Sequence, residues 1–122
     1  MLPIIVVDDD PSVAEVMALS IEDGGYPAPE VFNSPQEVIS WAARNTAPFV
    51  LLTDFRMPRM NGLELIEELH RRGRTVHAIL VTGAPECIQT GSSDVPILEK
   101  GGLEFADRLK FEVRRAQELC TA

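Results

Sequence analysis

Acidic residues stand directly after apolar segments in this sequence, at positions where α/β proteins carry out chemistry. Asp54 ends the apolar run 50–53, and a turn with Pro58 and Gly62 follows it. A continuous apolar run predicts a strand buried on both faces of a parallel sheet. Open α/β sheets bind ligands outside the carboxyl ends of their strands, which makes Asp54 a candidate nucleophile or metal ligand. The alternative role, a helix N-cap, does not fit, because the next helical pattern begins about eight residues later.

A second apolar run, residues 4–7, ends in three consecutive acids. Asp10 precedes Pro11, which predicts a helix N-cap followed by proline at the first helical position. Capping does not account for Asp8 and Asp9. Two carboxylates at one strand end repel each other unless a positive charge lies nearby. A divalent cation such as Mg²⁺ is therefore the predicted partner of these acids.

Two later strands are also predicted to end in polar residues. Thr82 follows the apolar pattern 75–81, and Lys100 follows the pattern 95–99. The carboxyl ends of parallel strands meet at one edge of a sheet, so these side chains are expected to join the acids in one pocket. Carboxylates suit Mg²⁺, and a carboxylate can attack phosphorus to form an aspartyl phosphate. The residue types therefore predict a magnesium-dependent phosphoryl-transfer site.

Strand and helix patterns alternate along the chain. The predicted strands are 4–7, 28–32, 50–54, 75–81 and 95–99, and the predicted helices are 11–23, 35–45, 63–73 and 106–120. This alternation predicts right-handed crossovers and an α/β fold, a doubly wound five-stranded parallel sheet covered on both faces. Residues 83–94 are rich in glycine, serine and proline. A helix between the fourth and fifth strands is therefore expected to be short or absent, with at most one turn in a mobile segment.

Length and composition restrict the classes of protein. The chain has 122 residues, 45% hydrophobic and 25% charged, which predicts one globular domain over residues 1–122. Its net charge is −8 and its basic residues are scattered, so we expect no direct contact with nucleic acid. No apolar stretch approaches the roughly 20 residues of a membrane span, and no basic segment precedes the first apolar run. We therefore expect a cytoplasmic protein with no signal peptide and no membrane contact.

Taken together, these motifs resemble the response-regulator receiver domain over essentially the whole chain. The similarity is carried by Asp8-Asp9, Asp54-Phe55-Arg56-Met57-Pro58 with Gly62, Thr82 and Lys100. The resemblance implies a flavodoxin-like fold with strand order 2-1-3-4-5. It also implies a Mg²⁺ site whose ligands are Asp9, Asp54 and the backbone carbonyl of Arg56, with Asp8 acting through a metal-bound water.

The same resemblance implies the chemistry. Asp54 would be the phosphoacceptor, Thr82 would hydrogen-bond the phosphoryl group, and Lys100 would pair with it. The phosphate would come from a histidine kinase or phosphotransfer protein, and phosphorylation would alter a surface that binds a downstream protein partner. The domain would not be a conventional enzyme, but it would catalyse its own aspartyl phosphorylation and dephosphorylation.

Three features depart from the usual receiver pattern, and one of them is the segment between Thr82 and Lys100, which is shorter than usual and rich in glycine, serine and proline. Receivers usually have a proline in a cis peptide after the lysine, whereas Lys100 is followed by Gly101. The position three residues before the lysine is often an aromatic residue that moves during switching, and here it is Ile97. Because the usual hydroxyl-to-aromatic coupling cannot operate, we expect Thr82 and Gly83 to signal by ordering the segment 83–94.

Two other functions fit the sequence. A degenerate receiver would bind its partners without being phosphorylated. A small aspartate-nucleophile phosphatase would use Asp8 as nucleophile and Asp10 as acid, but such enzymes need further carboxylates after the lysine strand, and residues 101–103 supply none. Phosphate trapped on Asp54 rather than on Asp8 would distinguish a receiver from a phosphatase.

Overall fold

The computed structural model describes residues 2–83, 95–101 and 104–121. These residues form an α/β domain with a parallel sheet in the order β2-β1-β3-β4-β5, which confirms the predicted fold and strand order. The elements are β1 (Ile4–Val7), α1 (Pro11–Asp23), β2 (Glu30–Phe32), α2 (Pro35–Arg44), β3 (Phe49–Asp54), α3 (Gly62–Arg71), β4 (Val76–Thr82), β5 (Ile97–Glu99) and α4 (Phe105–Thr121).

The two edge strands are shorter than predicted. β2 begins at Glu30 rather than residue 28, and β5 begins at Ile97 rather than residue 95. Proline explains the later start of β5, because Pro96 has no N–H to donate to a ladder. Its carbonyl still accepts a hydrogen bond from the N–H of Leu80 at 2.9 Å, so pairing with β4 starts immediately after it.

Each face of the sheet carries its own hydrophobic core. α1 and α4 cover one face, where Met17, Ile21, Leu109 and Val113 are fully buried. α2 and α3 cover the other face, where Phe49 is fully buried and its ring meets Trp41 edge-on at 5.0 Å between centroids. Burial on both faces is why the central strands are apolar along most of their length, with polar residues at their carboxyl ends.

Helix starts agree with their sequence signals in most cases. The Asp10 carboxylate accepts the N–H of Ser12 at 2.9 Å, so the predicted cap of α1 is confirmed. Ser34 with Glu37 three residues later predicts a capping box for α2, and Ser34 does cap this helix, but the Glu37 carboxylate accepts the N–H of Asn33 rather than that of Ser34. A complete capping box, formed by Asn61 and Glu64, lies at the start of α3.

The fourth helix of the usual receiver pattern would fall within residues 84–94. These residues lie outside the described part of the chain, so the expectation of a short or absent helix and a mobile segment stays a prediction. Within the described ranges the fold contains four helices, the last of them α4 at the carboxyl terminus. None of the helices described here is both long and apolar enough to cross a membrane.

Candidate functional site

The phosphoacceptor candidate Asp54 lies at the carboxyl end of the central strand β3, as predicted. It is only 6% exposed and stands opposite Val81 of β4 in the parallel register. The next residue continues the pairing, because Phe55 donates its N–H to the Val81 carbonyl at 3.0 Å. The carbonyl of Phe55 accepts the N–H of Gly62 at 2.8 Å, which ties the start of α3 to the same strand end.

Gly62 allows α3 to begin very close to Asp54. A Cβ atom at this position would lie 2.6 Å from the Asp54 carbonyl oxygen and 2.7 Å from Leu80 Cδ2, closer than real Cβ contacts. The first residue of α3 must therefore lack a side chain. The adjacent Asn61 side chain accepts the N–H of Glu64 at 2.9 Å, and the Glu64 carboxylate accepts the N–H of Asn61. The receiver motif includes Gly62 but does not reveal this packing role. Asn61 with Glu64 three residues later is a capping signal that can be recognised in the sequence.

Asp8 is the most tightly held acid of the site. Its side chain is fully buried, with Oδ1 accepting the N–H of Asp10 at 2.9 Å and Oδ2 accepting the Lys100 ammonium at 3.0 Å. Its backbone is fixed as well, because its N–H donates to the Phe32 carbonyl and its carbonyl accepts from Asn33 Nδ2 at 3.1 Å. No sequence motif identifies Asn33, because its contact with the Asp8 carbonyl forms only when β2 lies beside β1.

Lys100 lies between the two buried carboxylates. Its Nζ is 2.8 Å from Asp54 Oδ1 and 3.0 Å from Asp8 Oδ2, and its backbone N–H donates to the Thr82 carbonyl at 2.8 Å. The sequence predicts a divalent metal ion that neutralises the acids, and in the structure the Lys100 ammonium supplies part of that positive charge. The peptide bond to Gly101 is trans, because the described residues contain no cis peptide bond.

The pocket changes the protonation equilibria of its members. Burial raises the pKa of the Asp54 carboxyl above its ordinary value. The hydrogen bond from Lys100 acts in the opposite direction, and the negative charges of Asp8 and Asp9 add to the rise. Burial alone would lower the pKa of the Lys100 ammonium, but its hydrogen bonds to Asp54 and Asp8 outweigh that effect and raise it. Lys100 therefore remains a cation at neutral pH.

The acids predicted to bind metal come together. Asp8, Asp9 and Asp54 each place a carboxylate oxygen within 4.8 Å of the others, and Asp9 is exposed at the mouth of the pocket. Several carboxylate oxygens with one side open to water match the preference of Mg²⁺, which retains some of its water ligands. The donor set therefore fits Mg²⁺. Arg56 follows in the exposed turn after Asp54, and the ligand role of its carbonyl stays a prediction.

The predicted switch residues lie on the β4–β5 side of the pocket. Thr82 ends β4, is only 4% exposed and stands opposite Glu99 of β5. Ile97 is half-buried and packs with the core under α2 and α3. Gly83 is exposed, and no heavy atom of the described residues lies within 4 Å of a Cβ placed on it. The structure brings Thr82 to the same sheet edge as the acids, while the coupling of these three residues to phosphorylation stays a prediction.

Most of the chain matches the model of a known protein family. The model for the response regulator receiver domain matches residues 4–95, which contain four of the five strands and the three acids of the pocket. This chain belongs to the response regulator receiver domain family. Receiver domains act in two-component systems, where they interact with histidine kinases or phosphotransfer proteins.

Two curated relatives of this receiver domain are transcriptional regulators. The transcriptional regulatory protein FixJ of Azorhizobium caulinodans is 32% identical over 105 residues, covering 81% of this chain and 48% of FixJ. The DNA-binding transcriptional regulator NtrC of Salmonella typhimurium is 36% identical over 118 residues, covering 93% of this chain and 23% of NtrC. The receiver domain thus spans about half of FixJ and about a quarter of NtrC.

Solved structures show the same fold. A sensor protein from Polaromonas sp. JS666 matches with a TM-score of 0.79 and 27% identity, covering 95% of this chain and 96% of that one. The crystal structure of FixJ-N matches with a TM-score of 0.81 at 24% identity, covering 97% of this chain and 94% of FixJ-N. DNA binding is a property named for NtrC, and the expectation that this receiver domain does not contact nucleic acid stays a prediction.

Proposed function

We propose that this receiver domain is a phosphoacceptor of a two-component system and that it is phosphorylated on Asp54 in a Mg²⁺-dependent reaction. One observation supports this most directly: the Lys100 ammonium bridges Asp54 and Asp8, while Asp9 completes a cluster of three carboxylates around the same point. A nucleophile, a cation and a set of oxygen ligands thus meet at one edge of the sheet. Phosphoryl transfer depends mostly on such positioning and charge neutralisation.

In the proposed reaction, a carboxylate oxygen of Asp54 attacks the phosphorus of a phosphohistidine. The new O–P bond forms as the N–P bond of the donor breaks, and the leaving nitrogen keeps the electron pair. Lys100 binds Oδ1, so we expect Oδ2 to form the bond. The ammonium then lies close enough to stabilise the negative charge of the transferred group, and Thr82 is expected to hydrogen-bond that group.

Asp9, Asp54 and the Arg56 carbonyl would hold the Mg²⁺ ion, with Asp8 acting through water. When bound, the ion would neutralise negative charge on the phosphoryl oxygens. Asp54 must be ionised to attack. The Lys100 hydrogen bond favours that form and so counteracts the burial that raises the pKa of Asp54. The downstream partner is expected to be a protein that recognises the phosphorylated surface.

Labelling by acetyl phosphate tests the proposal. The parent protein should acquire one acid-stable, base-labile phosphoryl group in Mg²⁺ and none in excess chelator, as followed by intact-protein mass. Asp54→Asn should abolish labelling, because it removes the nucleophile with little change of shape. Asp10→Asn is the matched control and should label normally, because asparagine caps a helix as well as aspartate does.

Each alternative function gives a different result. A parent protein that is never labelled by acetyl phosphate or by any tested histidine kinase would indicate a phosphorylation-independent binding module. Phosphate trapped on Asp8, with Asp54→Asn still labelled, would indicate phosphatase chemistry. Asp9→Asn should weaken the Mg²⁺ dependence of both labelling and thermal stability, because a ligand bound only by the folded state raises its stability. Equal melting temperatures with and without millimolar Mg²⁺ would contradict the metal site.

A further inference from the structure

Gly101 follows the site lysine directly and has an unusual backbone conformation. Its φ is +75°, in the left-handed region that residues with a Cβ rarely adopt. No heavy atom of the described residues lies within 4 Å of a Cβ placed on it. Contact with the described part of the chain therefore does not require a glycine here, whereas the backbone conformation does.

Lys100 and α4, which lie on either side of Gly101 in the chain, are anchored to the rest of the domain to different extents. On the carboxyl-terminal side, α4 is anchored in the core by Leu109 and Val113, which are both fully buried. Farther along α4, the Gln117 side chain exchanges two hydrogen bonds with the backbone of Leu2, at 2.7 and 2.9 Å. Lys100 is 25% exposed at its side chain, and its N–H bonds to the carbonyl of the last residue of β4. A change of direction at Gly101 would therefore move Lys100 more easily than α4.

We propose that Gly101 is a positioning residue for Lys100. Its left-handed conformation sets the direction in which the chain leaves Lys100, while the lysine ammonium stays between Asp54 and Asp8. A residue that disfavours this conformation relaxes by rotating the backbone at Lys100, which displaces Nζ from the two carboxylates. The consequence for phosphorylation rests on the function proposed above, whereas the effect on the geometry of Lys100 does not.

Substitution of Gly101 by alanine tests the proposal. We expect the rate constant for labelling by acetyl phosphate in Mg²⁺ to fall about tenfold in Gly101→Ala, equivalent to about 1.4 kcal/mol. The matched control is Gly73→Ala, because Gly73 follows α3 with φ +79° and also has nothing within 4 Å of a Cβ. It introduces the same backbone conflict far from Lys100 and should label at the parent rate.

Asparagine at the same position distinguishes an effect of backbone conformation from an effect of adding a side chain. Asparagine adopts the left-handed region more readily than alanine does, so Gly101→Asn should recover a large part of the lost rate although its side chain is larger. A second readout needs no phosphorylation. The Lys100 amide should exchange hydrogen faster in Gly101→Ala than in the parent by NMR, because its bond to the Thr82 carbonyl is disturbed.

Two results would overturn the positioning role. One is a Gly101→Ala variant with a parent-like labelling rate and parent-like Lys100 amide exchange. The other is equal slowing in Gly101→Ala and Gly73→Ala, which would point to a general loss of stability. Failure of the phosphoacceptor proposal is recognised separately, by the absence of label on Asp54 in the parent. In that case the amide exchange of Lys100 still decides the role of Gly101.

Discussion

The two sides of the pocket are built differently. On the acidic side, β3 pairs with β4 along the whole of Phe49–Asp54 and with β1 along Val50–Thr53, and the glycine at the start of α3 presses against the strand end. On the lysine side, β5 pairs with β4 only along Ile97–Glu99. The carboxylates are thus held by the sheet itself, while the ammonium is held by a short edge strand and by the carboxylates it contacts.

This difference predicts how each side responds to mutation. Changes on the acidic side disturb a densely packed region, so they should act mainly on the free energy of unfolding. Backbone changes on the lysine side disturb few strand hydrogen bonds, so they should act mainly on the chemistry, whereas removal of the lysine charge also affects stability through the buried carboxylates. Three pocket variants, each with a matched control, test this difference in order of decreasing effect.

The largest effect is expected from Gly62→Ala. The new Cβ would overlap the Asp54 carbonyl and Leu80 Cδ2. The carbonyl belongs to the backbone of β3, so it cannot move away as a flexible side chain could. We expect a loss of about 3 kcal/mol in the free energy of unfolding, at the upper end of overpacking costs. Urea unfolding followed by circular dichroism measures it. Gly83→Ala is the control and should change stability little, because a Cβ at Gly83 meets no atom of the described part of the chain within 4 Å. Equal stability of the two variants would contradict the close approach of α3.

Lys100→Met should have the next largest effect on stability. It leaves the buried carboxylates of Asp8 and Asp54 facing each other with no ammonium between them. Breaking such a pair by removing one partner costs several kcal/mol, and partial exposure of Lys100 reduces the expected loss to about 2 kcal/mol in Mg²⁺-free buffer. Adding Asp54→Asn to this variant should recover most of the loss, because one of the two repelling charges is gone.

The control for Lys100→Met is Lys110→Met, which removes the other lysine that pairs with an aspartate in the described residues. Lys110 contacts Asp23 on the surface, so its removal should change stability little. A larger loss in Lys110→Met than in Lys100→Met would contradict the importance of the buried pair.

The smallest effects are opposite pH dependences of stability. The pKa of Asp54 is raised by burial, so its contribution is most favourable below about pH 4 and is lost as pH rises through its folded pKa. Asp54→Asn should therefore gain stability over the parent as pH rises from about 4 to 7 without Mg²⁺. The pKa of Asp23 is lowered by its hydrogen bond from Lys110, so its contribution is present above about pH 4 and is lost on acidification.

Asp23→Asn should accordingly be slightly less stable than the parent at neutral pH, and the difference should vanish on acidification. Urea titrations of the three proteins across this range measure both trends. An Asp54→Asn variant whose advantage shrinks with rising pH would contradict the burial of Asp54 as the dominant influence on its pKa.

Several features of this receiver domain could be read from the sequence because each depends on residues close together in the chain. Alternation of apolar runs with helical patterns predicted the five strands, and an acid after β1 and after β3 predicted the pocket. Asp10 before Pro11 predicted the start of α1, since a cap and its helix are adjacent. The strand order came from resemblance to the receiver family rather than from periodicity, which does not report which strands are neighbours.

The tertiary structure decided what depends on distant residues. Lys100 and Asp8 are far apart in the sequence and 3.0 Å apart in the fold, so only the assembled sheet shows that the ammonium neutralises the acids. The contact of Asn33 with the Asp8 carbonyl requires β2 beside β1, and the need for Gly62 requires α3 against β3. Local sequence specifies elements and their ends, whereas distances across the sheet edge arise from register and packing, which no short window of sequence contains.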